Sequence, residues 1–539
     1  MKKHKFDTLG VMIDMSRNAV MSIDGLKRFL PLLKKMGYNC VMLYTEETYE
    51  VDGEPYFGYM RGRYSKAEMK EIDAFAASLG IEIIPCIQTL AHLNALKKWN
   101  EHPYDCDDIL LVDDEKTYEL IDRMFKTLSE CFTSKRIHIG MDETHMLGRG
   151  AHLDKHGFEP ASELMKRHLT RVSKIAEEYG YSPMIWSDMF FRTWNNDAYY
   201  VHGSDSKIPQ EYVDALPNSV IPVYWDYYHT EEKRYDDMFS LHSQLSDKTW
   251  FAGGIWSWRG LIPHNRFSIT AMKPAIDSCV KHNVRNIFMT LWGDNGGECS
   301  HFSQLPALFY IARYAKGERD EQAIKKKFKN LIGLDFDECM AIDEANDIAE
   351  TEVSAHNKNP SKYMLYSDCF NGFFDLTVKV GAGVKYEETA QKMHALSKKS
   401  RKYGYVFDTA AKICDVMAIK YELGVKTRAA YQSRDKAELR RLAEEDYAKL
   451  LKLINVFARA FEKQWMLENK PYGFDVHDIR LGGLTRRIDS CRRRLLDYVN
   501  GKLDKIDELE ETVLPFRKGK DGESIVYNNA FNSMTASVL

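Results

Sequence analysis

The stretch that decides the fold is Arg136-Ile137-His138-Ile139-Gly140-Met141-Asp142-Glu143-Thr144-His145. It begins as a strand, because apolar residues alternate with others over 137–141. It ends on two adjacent carboxylates, and an unpaired carboxylate is costly to bury within a sheet. We therefore expect Asp142 and Glu143 at the tip of the strand, facing a cleft. There, mutual repulsion and partial desolvation raise the pKa of one acid and leave the other ionised, which suits general acid/base chemistry.

The length and composition indicate a multidomain globular chain. At 539 residues it is too long for one ordinary core. A formal net charge of -4 gives no sign of a nucleic-acid partner. The first apolar run, Leu9–Ile13, is too short for a secretory segment, and no run is long enough to predict a membrane partner. Scattered cysteines without a C-x-x-C pair predict reduced thiols, a cytoplasmic location and no cysteine-based zinc site.

Strand patterns alternate with amphipathic helix patterns over roughly the first 300 residues, a typical length for one barrel. The predicted strands are Gly10–Met15, Cys40–Tyr44, Ile81–Gln88, Arg136–Met141, Pro183–Met189, Val220–Trp225, Phe251–Trp256 and Asn286–Trp292. One intervening helix opens with a capping box of Ser65 and Glu68. Eight such strands predict an α/β fold, a (β/α)8 TIM barrel. A doubly wound open sheet is the alternative, but no Gly-rich phosphate motif follows the first strand.

Beyond the barrel pattern, strand signals fade and charged amphipathic helices follow. The predicted helices are Asp320–Leu331, Asp335–Glu350, Tyr386–Lys402, Asp408–Ser433, Lys436–Lys463 and Leu484–Asn500. This pattern predicts an all-α helical domain that packs on the barrel. We expect a catalytic barrel over residues 1–318 and a C-terminal helical domain over residues 319–539.

The predicted strand ends carry acidic and aromatic side chains. They include Asp14, Arg17, Glu46, Glu47, Tyr49, Gln88, His92, Asp142, Glu143, Trp186, Asp188, Tyr224, Trp225, Asp226, Tyr227, Trp256, Trp258, Trp292, Asp294 and Glu298. In a TIM barrel the active site lies at this end of the strands. A single Trp there is usually part of the core, but tryptophans at four consecutive strand ends favour an aromatic pocket. Aromatic surfaces, several carboxylates and one Arg match a sugar ring.

The motif His138-x-Gly140-x-Asp142-Glu143 resembles the catalytic signature of glycoside hydrolase family 20, the β-N-acetylhexosaminidases. Gln88-Thr89-Leu90-Ala91-His92, Trp186-Ser187-Asp188-Met189 and Trp292 extend the resemblance. It covers residues 7–316 and is most similar to the intracellular, hexosaminidase D-like branch.

The resemblance implies an exo-acting β-N-acetylhexosaminidase that removes terminal β-linked GlcNAc or GalNAc with retention of configuration. In this family the 2-acetamido carbonyl of the substrate attacks C1 and forms an oxazolinium intermediate, so no enzyme nucleophile is needed. Glu143 would protonate the leaving oxygen and then activate water. Asp142 would orient the acetamido N–H and balance the positive charge. Tyr227 is the candidate for the Tyr that supports the acetamido oxygen.

The resemblance also implies which residues contact the sugar. The expected substrate-binding residues are Arg17, Glu46, His92, Trp186, Trp225, Trp256, Trp292 and Asp294. Leu9 replaces the Arg that usually precedes the Gly of the first strand, and Arg17 is the candidate that takes its place. The usual Tyr of the seventh strand is missing from Gly254–Trp258, and Asp294 stands where a Glu is common.

Two other functions remain open. A metal-dependent barrel hydrolase is one, although the His residues match no H-x-H or H-E-x-x-H ligand spacing. A non-catalytic sugar-binding barrel is the other, although a lectin does not need the Asp142-Glu143 pair. We expect no metal and no cofactor, and an N-acetylhexosamine-terminated glycan or glycoside as the partner. The oligomeric state is left open, with a homodimer as one state to test.

Overall fold

The computed structural model describes residues 6–201, 203, 206–347 and 359–516. The chain divides into two compact units. The first, called here the barrel unit, comprises Met1–Ile255, Ser268–Trp292 and Ala307–Ile324. The second, called the helical unit, comprises Trp256–Phe267, Gly293–Pro306 and Lys325–Leu539. The predicted domain boundary at 318/319 stays a prediction.

The barrel unit contains a closed barrel of parallel strands. In chain order the strands are β1 (Thr8–Asp14), β2 (Cys40–Tyr44), β3 (Glu82–Cys86), β4 (Tyr104–Cys106), β5 (Ile109–Leu110), β6 (Arg136–His138), β7 (Ser182–Trp186), β8 (Ile221–Trp225), β9 (Trp250–Gly254) and β10 (Asn286–Leu291). The order around the barrel is β1-β10-β9-β8-β7-β6-β3-β2. The TIM-barrel prediction is therefore confirmed, and each predicted barrel strand is present.

Helices lie between successive barrel strands, and two more follow β10. They are α1 (Ile23–Met36), α2 (Lys66–Ser78), α3 (Asn94–Lys97), α4 (Glu115–Cys131), α5 (Ala151–His156), α6 (Ala161–Glu178), α7 (Asp188–Arg192), α8 (Gln210–Val213), α9 (Glu232–Leu245), α10 (Asn265–Lys281), α11 (Leu305–Ala315) and α12 (Glu321–Ile332). The predicted capping box is present at the start of α2: Glu68 N donates to Ser65 Oγ, and Ser65 N donates to Glu68 Oε2. Local capping signals in the sequence thus set this helix start.

Several strands end earlier than the sequence predicted. β3 ends at Cys86 rather than Gln88, and β6 ends at His138 rather than Met141. The apolar alternation continues past the last ladder hydrogen bonds because these loop residues are still buried. The sequence also missed the antiparallel β4–β5 pair, which is too short to give a periodic signal.

The helical unit is largely α-helical, as predicted. Its further helices are α13 (Phe336–Met340), α14 (Pro360–Tyr366), α15 (Gly383–Lys399), α16 (Gly404–Gln432), α17 (Lys436–Arg441), α18 (Ala448–Glu468), α19 (Phe474–Val499) and α20 (Asp507–Glu510). The predicted continuous helix Lys436–Lys463 is instead interrupted by a π-helical turn, Leu442–Tyr447. The predicted helix Asp335–Glu350 ends at Met340 and continues as a 3₁₀ helix over Ala341–Asn346. The end of that prediction, 348–350, lies outside the described residues.

Two further observations concern the helices and the cysteines. None of the helices within the described ranges is both long and apolar enough to cross a membrane. All ten cysteines carry free thiols, and all but Cys106 are buried.

Candidate active site

The turn after β6 places two adjacent carboxylates at the carboxyl end of the barrel. Gly140, Met141 and Glu143 have positive φ angles of 74°, 69° and 53°. Such angles are unusual for residues with side chains and concentrate at functional sites. Gly140 is required here, because a Cβ would lie only 2.0 Å from Gln88 Oε1. The glycine of the motif therefore makes room for the Gln88 side chain, which comes from the loop that follows β3.

Gln88 links this turn to β2 through hydrogen bonds. Its Nε2 donates to Asp142 Oδ1 at 2.7 Å and to Tyr44 Oη at 2.9 Å, and its Oε1 accepts from Met141 N at 3.1 Å. Tyr44 in turn donates to Glu46 Oε1 at 3.0 Å. This chain fixes the orientation of the Asp142 carboxylate. Gln88 was predicted at a strand end and within the Gln88–His92 segment of the family resemblance. Tyr44 was missed, since its one signal was its place as the last residue of a strand.

His92 lies between the two carboxylates. Its Nε2 is 3.3 Å from Asp142 Oδ2 and 4.0 Å from Glu143 Oε2. Burial disfavours the charged form of His92, but the negative charge of Asp142 outweighs it and raises the pKa of His92 to about 9. Burial would raise the pKa of Asp142, but the His92 charge and the Gln88 hydrogen bond lower it to about 2. Asp142 is therefore ionised at neutral pH.

The pKa of Glu143 is shifted in the opposite direction to that of Asp142. Burial raises its pKa above the usual range, and the neighbouring Asp142 charge raises it further, although His92 and Arg192 act against this. Its side chain is 44% exposed, against 12% for Asp142. Its backbone N–H donates to Asp188 Oδ2 at 3.0 Å. The pair thus combines one ionised, shielded carboxylate with one accessible carboxyl group whose pKa is raised, as acid/base chemistry requires.

Asp188 and Arg192 lie on α7, next to the Glu143 turn. Asp188 is fully buried, and Arg192 Nε is 3.3 Å from its Oδ2. Burial, helped by the charge of Asp142, raises the pKa of Asp188 to about 7. The sequence placed Asp188 at a strand end without a role and missed Arg192, which is one helical turn further on.

Arg17 and Glu46 lie on the other side of the same cluster. Arg17 Nη2 is 3.4 Å from Glu46 Oε1, and Arg17 Nη1 is 3.2 Å from Asp14 Oδ2. The guanidinium also lies 5.0 Å from the ring centroid of Tyr44 and 5.1 Å from that of Trp292. Burial raises the pKa of Glu46 to about 7, against the lowering effect of Arg17. The two predicted residues therefore form one charged group beside the aromatic cluster.

Three predicted aromatic residues form a continuous surface beside these charges. Trp292 Nε1 donates to Tyr227 Oη at 3.1 Å. Tyr227 stacks on Trp225 with centroids 5.4 Å apart and planes at 19°. Tyr227 fits closely over Gly254, where a Cβ would lie 2.8 Å from the Tyr227 Cβ. Burial holds the pKa of Tyr227 well above its usual range, so the hydroxyl keeps its proton.

Trp186 lies deeper than these residues. It is 1% exposed, and its ring lies 4.3 Å from that of His138 and 6.1 Å from that of Trp292. A side chain with so little accessible surface packs mainly against protein. The core interpretation is therefore favoured for Trp186, while Trp225 and Trp292 are 8% and 9% exposed.

Trp256 and Asp294 belong to the helical unit. Trp256 is fully buried and stacks on Trp258 with centroids 4.3 Å apart. Asp294 is close enough to Lys362 for its charge to favour the protonated lysine. All other predicted site residues are joined in the barrel-unit cluster. Roles of Trp256 and Asp294 in substrate binding stay predictions.

The His and acidic side chains of the site also bear on metal binding. Within the ranges that the structure describes, no three His, Cys, Asp or Glu side chains are grouped so as to hold a metal ion. His145 Nδ1, for example, contacts Asp197 Oδ1 at 2.9 Å instead. The expectation of no metal stays a prediction for the chelation experiment below.

Two family models match the chain. The glycosyl hydrolase family 20 catalytic domain matches residues 29–226, which include the Asp142-Glu143 turn. The Glycoside Hydrolase 20C C-terminal domain matches residues 337–528. The chain belongs to glycoside hydrolase family 20. The matched catalytic segment contains Glu46, His92 and Trp186, and the family predicted from the sequence motif is therefore confirmed.

Two proteins that are both named Hexosaminidase D are similar to this chain. The human protein is 22% identical over 232 residues, covering 39% of this family 20 chain and 43% of the relative. The Bos taurus protein is 24% identical over 215 residues, covering 38% of this chain and 58% of the relative. The chain thus spans about half the length of the curated relatives it matches. The predicted resemblance to the hexosaminidase D branch is confirmed.

Solved family 20 structures are also similar to this chain. A GH20 exo β-N-acetylglucosaminidase from Vibrio harveyi has a TM-score of 0.47 at 16% identity, covering 61% of this chain and 58% of the other. A GH20 β-N-acetylhexosaminidase from Streptomyces coelicolor A3(2) has a TM-score of 0.45 at 18% identity, covering 62% and 70%.

Replacing Trp186 in this family 20 barrel should destabilise the fold. Because its side chain is 1% exposed, Trp186→Ala is expected to lower the free energy of unfolding by about 3–5 kcal/mol. The half-buried Trp99 offers a control, since Trp99→Ala removes the same ring with less buried area. Chemical denaturation of both variants measures the difference. An unchanged stability for Trp186→Ala would show that the ring does not serve as core.

The pairing of His92 with Asp142 should make stability depend on pH. The pKa of His92 rises from 6.5 to about 9 in the folded state, so its contribution is fully present below pH 6.5 and is lost as pH rises through about 9. The destabilisation caused by His92→Asn is therefore expected to shrink over that window. Denaturation at several pH values measures it.

A double-mutant cycle supplies the control for this titration. In an Asp142→Asn background the partner charge is gone, so His92→Asn should lose its pH dependence. A constant cost of His92→Asn from pH 6.5 to 9 in the parent chain would contradict the ion pair.

Proposed function

We propose that this chain is an exo-acting β-N-acetylhexosaminidase that removes terminal β-linked GlcNAc or GalNAc by a retaining, substrate-assisted mechanism. The single observation that carries the proposal is the Asp142-Glu143 pair, whose two pKa values are shifted in opposite directions around one His92 nitrogen. Membership of family 20 supports the substrate class.

Glu143 is the proposed general acid and base. Its raised pKa favours the protonated form, and its partial exposure allows contact with the leaving oxygen. It protonates that oxygen as the C1–O bond breaks. The resulting carboxylate then takes a proton from the water that attacks C1, which restores the acid.

Asp142 is proposed to act on the 2-acetamido group. Its carboxylate stays ionised because of His92 and Gln88, so it can accept a hydrogen bond from the acetamido N–H. The acetamido carbonyl oxygen then attacks C1, and the positive charge that develops on the oxazolinium ring is balanced by Asp142. The fixed orientation of this carboxylate means that little reorganisation is needed during reaction.

The remaining residues are proposed to position the sugar. The protonated hydroxyl of Tyr227 supports the acetamido oxygen, and Trp225 and Trp292 contact apolar faces of the sugar. Arg17 and Glu46 bind ring hydroxyls, since they offer donors and acceptors side by side. We also propose a cytoplasmic location, and sedimentation measures whether the chain forms a homodimer.

One assay tests the proposal against its alternatives. Release of p-nitrophenol is measured from the paired β-glycosides of GlcNAc and GalNAc, with and without EDTA. Turnover that is insensitive to EDTA supports the proposal. Turnover abolished by EDTA would favour a metal-dependent hydrolase, and binding of N-acetylhexosamines without turnover would favour a sugar-binding barrel.

A further inference from the structure

A cluster of three exposed side chains and one half-buried Trp lies on two neighbouring loops at the carboxyl end of the barrel. We call it the aromatic platform and define it as Tyr56, Tyr59, Met60 and Trp99. Tyr56, Tyr59 and Met60 are 41%, 39% and 64% exposed. Trp99 stacks on Tyr56, with centroids 5.4 Å apart and planes at 25°, and meets the edge of Tyr59 at 5.3 Å. Contiguous exposed apolar groups of this kind usually mark a binding surface.

The platform is held by a rigid framework. Phe57, between the exposed rings, is 1% exposed and packs edge-on against Tyr49 at 5.1 Å. Gly58 has a φ of 65°, and a Cβ there would lie 2.2 Å from Glu47 O. Met60 adopts a φ of 58°, an unfavourable conformation for a long side chain. The loop is therefore tightly specified, although the side chains that it presents are exposed to solvent.

The same loop is tied to the catalytic cluster. Arg61 Nε donates to Glu47 Oε1 at 2.8 Å, and Arg61 Nη1 donates to Asn18 Oδ1 at 2.8 Å. Glu47 is adjacent in sequence to Glu46, and Asn18 is adjacent to Arg17. Both neighbours belong to the candidate active site. Arg61 therefore fixes the platform loop relative to the sugar-binding charges.

Trp99 reaches the platform from the other direction. It follows α3, which begins just after His92 in the loop that leaves β3. Because β2 and β3 are neighbours in the parallel barrel, their following loops lie side by side at the same end. The platform and the Asp142-Glu143 pair thus belong to one face of the barrel unit.

We propose that the aromatic platform binds the sugar residue on the leaving-group side of the scissile bond. This inference rests on the proposed function, in which the terminal sugar fills the catalytic cluster and the rest of the glycan extends across the same face. The C–H faces of a pyranose pack on aromatic rings, and the Tyr56 and Tyr59 hydroxyls can hydrogen-bond to its hydroxyl groups. The ligand class is therefore a β-linked oligosaccharide of at least two sugars.

The test compares a disaccharide with a monosaccharide. Trp99→Ala and Tyr56→Ala, one from each loop, are assayed on the β-linked GlcNAc disaccharide, and free GlcNAc is measured as an inhibitor. We expect kcat/KM for the disaccharide to fall about ten-fold, mainly through KM, as for truncation of an aromatic binding residue. The inhibition constant of GlcNAc should be unchanged, and Trp99→Phe should retain most of the binding.

Tyr179→Ala is the matched control. Tyr179 is a partly exposed aromatic residue at the end of α6, which leads into the amino end of β7. It should leave both measurements unchanged. Equal losses for disaccharide and monosaccharide, or no loss with either variant, would overturn the platform. A change in sedimentation mass in place of the kinetic effect would also overturn it, in favour of contact with a second copy of this chain.

Failure of the proposed function would be recognised separately. If the parent chain does not hydrolyse the GlcNAc disaccharide, calorimetric titration still compares the binding of the disaccharide with that of GlcNAc. Disaccharide binding that is weakened by Trp99→Ala, with GlcNAc binding intact, supports the platform. Equal affinities of the parent chain for disaccharide and monosaccharide would refute it.

Discussion

Glu143→Gln should lower kcat on glycosides with poor leaving groups by about 10²–10⁴-fold, the usual contribution of a general acid/base. The amide keeps the shape of the side chain but cannot donate the proton that the leaving oxygen requires. Steady-state kinetics on a GlcNAc disaccharide measure this effect. The fall should be smaller for p-nitrophenyl glycosides, because p-nitrophenolate leaves readily without a proton.

The folded state provides the control for this variant. The Glu143 side chain is 44% exposed, so the substitution should leave the melting temperature nearly unchanged. Near-native turnover of the disaccharide by a folded Glu143→Gln variant would remove this residue from the mechanism.

Asp142→Asn should lower kcat for N-acetyl substrates by roughly 10²–10³-fold, the cost of removing one preorganised stabilising group. The amide cannot balance the positive charge of the oxazolinium. The substitution also removes the negative charge of Asp142, which is the second cause, after burial, of the raised pKa of Glu143. The basic limb of the kcat/KM profile should therefore move to lower pH.

A matched substitution checks the sign of this shift. The Arg192 charge lowers the pKa of Glu143, so Arg192→Gln should move the basic limb to higher pH. Shifts of Asp142→Asn and Arg192→Gln in the same direction would contradict the electrostatic assignment.

The barrel could be predicted from the sequence because its signals are local. The buried strands of a parallel barrel appear as short apolar runs, and capping residues such as Ser65 mark helix starts. The capping box predicted for Ser65 and Glu68 is present at the start of α2. Short elements gave no such signal, which explains the missed β4–β5 pair.

The active-site interactions could be predicted only in part. The Asp142-Glu143 pair was visible as adjacent acids at a strand end, but its His92 and Gln88 contacts depend on the turn at Gly140. That turn brings together residues far apart in sequence, as in the 2.7 Å bond from Gln88 to Asp142. Tyr44 and Arg192 were missed for the same reason. Sequence position alone also could not distinguish the buried Trp186 from the more accessible Trp225.

The substrate-assisted mechanism is tested most directly by substrates that differ only at C2. Turnover of the p-nitrophenyl β-glycosides of GlcNAc and glucose by the parent chain is measured, together with inhibition by a thiazoline analogue of the oxazoline. Substrate assistance predicts very poor turnover of the glucoside, which lacks the internal nucleophile, and thiazoline binding roughly 10²-fold or more tighter than substrate binding. Good turnover of the glucoside, with a 2-fluoro sugar trapped as an ester on Asp142 or another carboxylate, would contradict it.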